Sequence, residues 1–199
     1  MTTISQPVST TVSLGVLASG SGSNLEAIAK AISEGRLNAK IEVLIYNNPD
    51  AYVRQRAERL GIPAVLLNHR NYKSREVLDA AIAEVLQAHH VNLVIMAGWM
   101  RVVTQVLIDA FPNRILNIHP SLLPSFPGIH AIDQALNYGV KIAGCTVHIV
   151  SLEVDCGPIL QQAAVPVLPD DTPSSLQQRI QVQEHSIYPK AIAEYCQKL

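Results

Sequence analysis

From Val12 to Ile118 the chain alternates short apolar runs rich in Val, Ile and Leu with longer segments whose apolar positions recur every three to four residues. The short runs Val12–Ala18, Ile41–Tyr46, Ala64–Leu67, Leu93–Met96 and Ile115–Ile118 read as buried strands. Between them Asn24–Glu34, Ala51–Leu60, Ser74–His89 and Thr104–Ala110 have helical spacing, often with turn residues at their edges. Strands and helices in alternation predict a parallel sheet covered by helices.

After Ile118 the pattern changes. His119–His130 carries three prolines and Gly128 and reads as an irregular loop with fixed corners, a kind of segment that is often functional. Thr146–Val150 and Ile159–Val165 then read as two strands, joined by a segment with Asp155, Gly157 and Pro158. Thr172 followed by Pro173 has the form of an N-cap and first helical position, opening a last helix that Pro189 should interrupt or kink. The predicted fold class is α/β: one domain over residues 12–199, with a doubly wound, mostly parallel sheet, a C-terminal strand pair and a long terminal helix.

Composition narrows the partners. With 199 residues and 48% hydrophobic content, the chain is long enough for one substantial core. A formal net charge of -1 supplies no basic field of the kind nucleic-acid binding draws on, so no nucleic-acid partner is expected. Three cysteines without CxxC spacing indicate neither a disulfide framework nor a zinc knuckle, and reduced thiols fit a cytoplasmic protein. Residues 1–11 lack Lys and Arg and do not read as a signal peptide; disorder is expected there. The longest near-continuous apolar stretch, Leu93–Met100, falls far short of the roughly 20 residues of a membrane-spanning helix, so no membrane role is expected.

Candidate chemistry begins where the first strand runs into Ser19-Gly20-Ser21-Gly22-Ser23-Asn24-Leu25. Glycines let the backbone turn tightly, and free amides at a helix start favour an anion, with phosphate the natural guest. An ordinary turn capped by Asn24 is the plainer alternative. A dinucleotide fingerprint would need a third glycine at Leu25 and an acidic residue near the end of the second strand, where Tyr46, Asn47 and Asn48 stand. No GKS or GKT follows either, which leaves a phosphate monoester as the better ligand.

Asn117 and His119, two residues apart on an extended segment, project from one face at the carboxyl end of a predicted parallel strand, where ligands bind in open α/β sheets. Asp155 occupies the turn between the last two strands and either caps it or faces His119, where a carboxylate would favour the imidazolium. Such groups suit acyl transfer to an amine, with a His proton and an Asn amide at the developing oxyanion and a base or bound water moving the proton. Cys156 has no partner base in sequence and reads as packing or turn chemistry. Seven histidines include no HExxH pair, and no catalytic metal is expected.

SGSGSNL at Ser19–Leu25, NIHPSLLP at Asn117–Pro124 and VDCGPIL at Val154–Leu160 resemble the glycinamide ribonucleotide formyltransferase family. The likeness runs from about Leu14 to Tyr195 and includes AGWMR at Ala97–Arg101, PGIHA at Pro127–Ala131, CTVHIV at Cys145–Val150 and QEHSIYP at Gln183–Pro189. It implies a Rossmann-like fold, with 10-formyltetrahydrofolate as formyl donor and glycinamide ribonucleotide as acceptor in purine biosynthesis. By the same resemblance Gly22, Ser23 and Asn24 bind the phosphoribosyl group, and Gln181 and Glu184 face the ribonucleotide. His119 is the catalytic acid, Asn117 its partner at the formyl group, and Asp155 the carboxylate that supports the histidine. Met100, Arg101, Val102 and Val103 would line the folate pocket, with Arg75 near the carboxylated tail of the carrier.

Trp99, Cys156 and Ser125 depart from the family pattern, where Phe, Gly and Lys are common; the last change removes a cation near the mouth of the site. Methionyl-tRNA formyltransferase shares the Asn, His and Asp chemistry but resembles a longer, more basic chain. A formyltetrahydrofolate hydrolase and a non-catalytic sensor of a phosphorylated metabolite are the other readings. The sequence leaves monomer and homodimer equally open.

Overall fold

The computed structural model describes residues 11–199. The expectation of disorder for residues 1–11 falls, Thr11 apart, outside the described residues. Seven strands form one sheet: β1 (Val12–Ala18), β2 (Ala39–Tyr46), β3 (Ala64–Leu66), β4 (Leu93–Met96), β5 (Ile115–His119), β6 (Ile142–Ile149) and β7 (Ile159–Pro166), in the spatial order β3-β2-β1-β4-β5-β6-β7. β1 to β5 are parallel, whereas β6 runs antiparallel to β5, and β7 to β6. The helices are α1 (Ser23–Ser33), α2 (Val53–Arg59), α3 (Arg75–Ala88), α4 (Gln105–Ala110), α5 (Ala131–Tyr138) and α6 (Pro173–Cys196). This is the doubly wound, mostly parallel α/β sheet that the alternation of elements predicts.

Burial on both faces explains why the central strands read as continuous apolar runs. Along β1, Leu14, Val16 and Ala18 join one core with Leu25 and Ile28 of α1 and Tyr188 and Ile192 of α6, while Leu17 joins the other with Leu78, Ile82 and Leu86 of α3. The period of two continues into β5, where Leu116 and Ile118 face the α1 and α6 side and Ile115 faces the α3 side. Asn117 and His119 therefore fall on the α3 side, just beyond its apolar core. No helix among the described residues is long and apolar enough to cross a membrane.

Several boundaries differ from expectation. β2 begins two residues early, at Ala39, and β6 begins at Ile142 rather than Thr146, because pairing with β7 extends back to Ile142 opposite Pro166. α5 follows the irregular loop where no helix was expected; it has eight residues, buries Ala131 and Ala135, packs Ile132 and Leu136 partly buried against the α1 and α6 core, and ends on Gly139 in the left-handed region. Thr172 caps α6 as predicted, in a reciprocal pair with Ser175 and with Pro173 in the first turn. Pro189 does not interrupt α6, which continues to Cys196. Its missing N–H removes one helical bond, but Tyr188, Ala191 and Ile192 around it are buried in the core, and that packing carries the helix through.

The sheet order contains a topological switch between β1 and β4, since the chain winds outward to β3 and then returns to the other side of β1. Loops leaving the carboxyl ends of these two strands are joined there: the Ser19 N–H donates to the Gly98 carbonyl at 3.0 Å, and the Met100 N–H to Ser19 Oγ at 2.9 Å. Next to this opening the buried Tyr188 hydroxyl lies 3.0 Å from the carbonyls of both Met96 and Leu116, bracing β4 and β5 from α6. Tyr188→Phe should cost about 1–3 kcal/mol, the penalty for leaving a buried acceptor unpaired. Urea unfolding should show a lower midpoint with an unchanged slope.

Candidate active site

One cavity of about 670 Å³ opens at the switch point, within the usual range for small-molecule sites. Gly22, Ser23, Asn24, Gln181 and Glu184 line one end, Met100, Arg101, Val102 and Val103 another, and Asn117, His119 and Asp155 the region that completes the lining. Twelve of the residues singled out in sequence are thus brought together by five separate stretches of chain. Arg75 is not among them; it borders a smaller adjoining hollow together with Val102 and Val103.

At the first end α1 starts at Ser23, after Gly22, whose φ of 79° is a left-handed value that glycine adopts without the usual Cβ penalty. A Cβ on Gly22 would also lie 2.4 Å from a methyl of Val53, so α2 packs directly beneath the loop. Asn24 does not cap the helix. Its amide donates at 3.0 Å to Glu184 Oε2, and both side chains are buried. Burial pushes the Glu184 carboxyl above its ordinary range, and the Asn24 hydrogen bond opposes that shift. Asn24 Oδ1 is buried without a partner, leaving an acceptor at the ligand end.

The second end is apolar. Trp99, Val103, Val150 and Leu152 line it, and Met100, Ile129 and Leu152 are 75%, 75% and 58% exposed at its rim. Large apolar side chains gathered around an opening form the kind of exposed patch that marks interaction surfaces and ligand grooves. The Thr104 N–H donates at 2.5 Å to buried Asp79, which fixes the exit of this segment into α4. Burial raises the Asp79 carboxyl, against the hydrogen bond from Thr104.

Between the ends lies the polar centre. β5 and β6 are paired so that Asn117 faces His148 and His119 faces Thr146, which places the four polar side chains on one face of the sheet. The turn after β6 folds back tightly, since a Cβ on Gly157 would stand 1.8 Å from the Ile149 carbonyl oxygen. Asp155, in the left-handed region at φ 55°, is thereby directed inward. Its Oδ2 lies 3.3 Å from His119 Nδ1 and accepts the Gly128 N–H at 2.8 Å; Oδ1 lies 3.5 Å from both Asn117 Nδ2 and His148 Nε2.

Burial raises the Asp155 carboxyl, but hydrogen bonds from His148 and the Gly128 N–H, with the charges of His119 and His148, outweigh it and hold the group below its ordinary value. His119 Nε2 meets the Phe126 carbonyl at 2.9 Å. Both ring nitrogens of His119 thus face acceptors. An imidazole held in this way beside a carboxylate, an amide and a neighbouring histidine is equipped to donate a proton and to stabilise a developing oxyanion.

His148 lines the cavity and Asp79 holds the segment beside it through Thr104, although the sequence reading singled out neither. For His148 a signal existed, a histidine in an otherwise apolar strand two residues after Thr146, but only the β5–β6 register sets it opposite Asn117. For Asp79 the signal was a lone carboxylate on the apolar face of α3, in line with Ile82, Ala83 and Leu86, but its Thr104 partner lies 25 residues away.

The family model for formyl transferases matches residues 13–192. Phosphoribosylglycinamide formyltransferase of Bacillus subtilis is 42% identical over 179 residues, covering 90% of this chain and 92% of that protein. Trifunctional purine biosynthetic protein adenosine-3 of Drosophila melanogaster is 45% identical over 182 residues, or 90% of this chain, but the chain spans only 14% of its length. The human protein of the same name is spanned to 18%. A crystal structure of glycinamide ribonucleotide transformylase 1 from Symbiobacterium toebii matches with a TM-score of 0.93 at 53% identity, over 94% of this chain and 89% of that one.

The buried Glu184 carboxyl sets a cost on folding. With its folded pKa raised, it keeps its proton in the folded state at pH values where the unfolded chain has lost it, so its contribution to stability falls as pH rises from about 4.3 through the folded value. Glu184→Gln, which keeps an acceptor for Asn24, should raise the Tm at pH 7, and the gain should vanish towards pH 4. A gain that persists at pH 4 would show that ionisation is not its source.

Proposed function

The chain belongs to the formyl transferase family, and from that premise we propose that it moves the formyl group of 10-formyltetrahydrofolate to the amine of glycinamide ribonucleotide, yielding N-formylglycinamide ribonucleotide and tetrahydrofolate in purine biosynthesis. The observation that carries this reading is the meeting of Asn117, His119 and Asp155 in one cavity with a glycine-rich helix start and an apolar lobe. The first end suits a phosphorylated ribose, with backbone amides for the phosphate and Asn24, Gln181 and Glu184 for the sugar and amide groups. The second suits a flat pteridine ring and its benzoyl group. Arg75 borders the smaller hollow beside Val102, and on this reading it would meet a carboxylated tail that leaves the cavity there.

The amine attacks the formyl carbon, a C–N bond forms, and the carbonyl oxygen becomes an oxyanion. The Asn117 amide has two N–H bonds, and a substrate oxygen can replace its long 3.5 Å contact with Asp155. His119 supplies a second donor when its Nε2–H exchanges the Phe126 carbonyl for the substrate. The proton lost by the attacking nitrogen reaches N10 of the folate through His119 or through water held by Asp155, and breaking the N10–C bond releases tetrahydrofolate. Direct transfer of this kind needs no covalent enzyme intermediate.

Purified protein with 10-formyltetrahydrofolate should consume the donor only when glycinamide ribonucleotide is present. Equal consumption without the acceptor would identify a hydrolase, and none in either case a sensor or a different acceptor. His119→Ala should lower kcat by about 10²–10⁴-fold, the usual contribution of a positioned general acid, without loss of folding. Unchanged turnover would remove His119 from the mechanism.

A further inference from the structure

The geometry points to Arg56 as the positioning residue that presets the glycine-rich loop for a phosphate dianion, an inference resting on the phosphorylated substrate of the proposed reaction. Arg56 belongs to α2 and does not line the cavity. Its Nε donates to the Ser21 carbonyl at 2.8 Å, its guanidinium pairs with Glu26 in the first turn of α1, and it lies over the Tyr52 ring at 5.1 Å from the centroid. Three fixed contacts on a side chain only 20% exposed make it a rigid strut rather than a solvated charge.

The direction of these contacts gives the strut its use. In a trans peptide the C=O and the following N–H point opposite ways. Arg56 pulls the Ser21 carbonyl towards α2, so the Gly22 N–H is turned away from α2. One residue earlier the Val53 N–H donates to the Gly20 carbonyl at 3.1 Å, which turns the Ser21 N–H in the same way. Neither of these N–H groups donates to another group of the described protein. Two successive amides are thereby held facing forward beside the start of α1, a concavity that binds anions. A cationic donor on the carbonyl also polarises the Ser21–Gly22 peptide and strengthens its N–H as a donor.

Charge distribution gives this arrangement its importance. Among the described residues Arg101 is the one Lys or Arg that lines the cavity, and it stands in the Trp99–Val103 segment, not in the glycine-rich loop. At the loop end a dianion would be met by backbone amides, and their orientation is set from behind by Arg56.

Isotope-labelled protein titrated with inorganic phosphate tests this without requiring turnover. The Ser21 and Gly22 amide resonances should move in the unaltered chain, and Arg56→Ala should raise the half-saturating phosphate about tenfold, the scale of one charge-assisted hydrogen bond. Arg56→Lys keeps the charge beside Glu26 but lacks the Nε donor, and the same loss is expected should Arg56→Ala not fold. Arg59→Ala removes a second cation from Glu26 without touching the loop and should leave phosphate binding within about twofold, as an exposed ion pair contributes little.

In turnover, the Arg56 variants should raise KM for the ribonucleotide and leave KM for formyl folate and the thermal midpoint of Arg56→Lys near those of the unaltered chain. Unmoved amides in the unaltered chain, undiminished phosphate binding in both Arg56 variants, or an equal loss in Arg59→Ala would overturn the proposal. The predicted phosphate pattern in a chain that never transfers formyl would instead sink the reaction and leave the strut standing.

Discussion

The buried carboxylate of Asp155 is the contact on which the polar centre depends. It lies against His119, His148, Asn117 and the Gly128 N–H, and these come from β5, β6 and the loop that follows β5. A buried carboxylate is costly unless it is surrounded by donors, and here the donors include the groups to which the proposed reaction assigns the chemistry. The same constraint draws the 120–130 loop over the site, since Gly128 reaches Asp155 and Phe126 reaches His119. The geometry of the polar centre and the placement of the loop are therefore one arrangement, seen from two sides.

The sheet makes that arrangement possible by switching direction twice. Reversal of winding between β1 and β4 opens the space for a ligand, and the change from parallel to antiparallel pairing at β6 brings His148 opposite Asn117. Tyr188 braces β4 and β5 beside the opening, α2 shapes the glycine-rich loop from below, and Asp79 fixes the end of the Trp99–Val103 segment. None of these three supports is placed to touch a substrate. Each is a side chain whose fixed hydrogen bond determines where a backbone segment points, and such precision is what positioned catalysis requires.

Much of this was legible in the chain because local chemistry announces it. β-branched runs marked the parallel strands, Thr172-Pro173 marked the start of α6, and Gly22 and Asn24 marked the first end of the cavity. Asn117 and His119 were readable from the period of a strand, although only the resemblance favoured an active Asp155 over a turn cap. What stayed hidden depended on contacts between distant parts of the sequence. His148 needed the register of β6, Asp79 on its apolar helical face needed Thr104, and Arg56 looks like an ordinary polar position until its carbonyl partner is known. α5 escaped because it spans only eight residues directly after the irregular loop, although Ile132 and Leu136 pack against the core beside Ala131 and Ala135, and Pro189 misled because tertiary packing overrides a local helix breaker.

The most direct test of the central claim, that one cavity orients both substrates about the Asp155 centre, is a crystal structure with glycinamide ribonucleotide and a non-reactive folate analogue bound together. The account predicts the phosphate against the Ser21 and Gly22 amides, the pteridine in the Trp99–Val103 lobe, and the glycinamide nitrogen beside Asn117 and His119. A phosphate held at Arg75 or Arg101, or an amine directed away from His119, would contradict it.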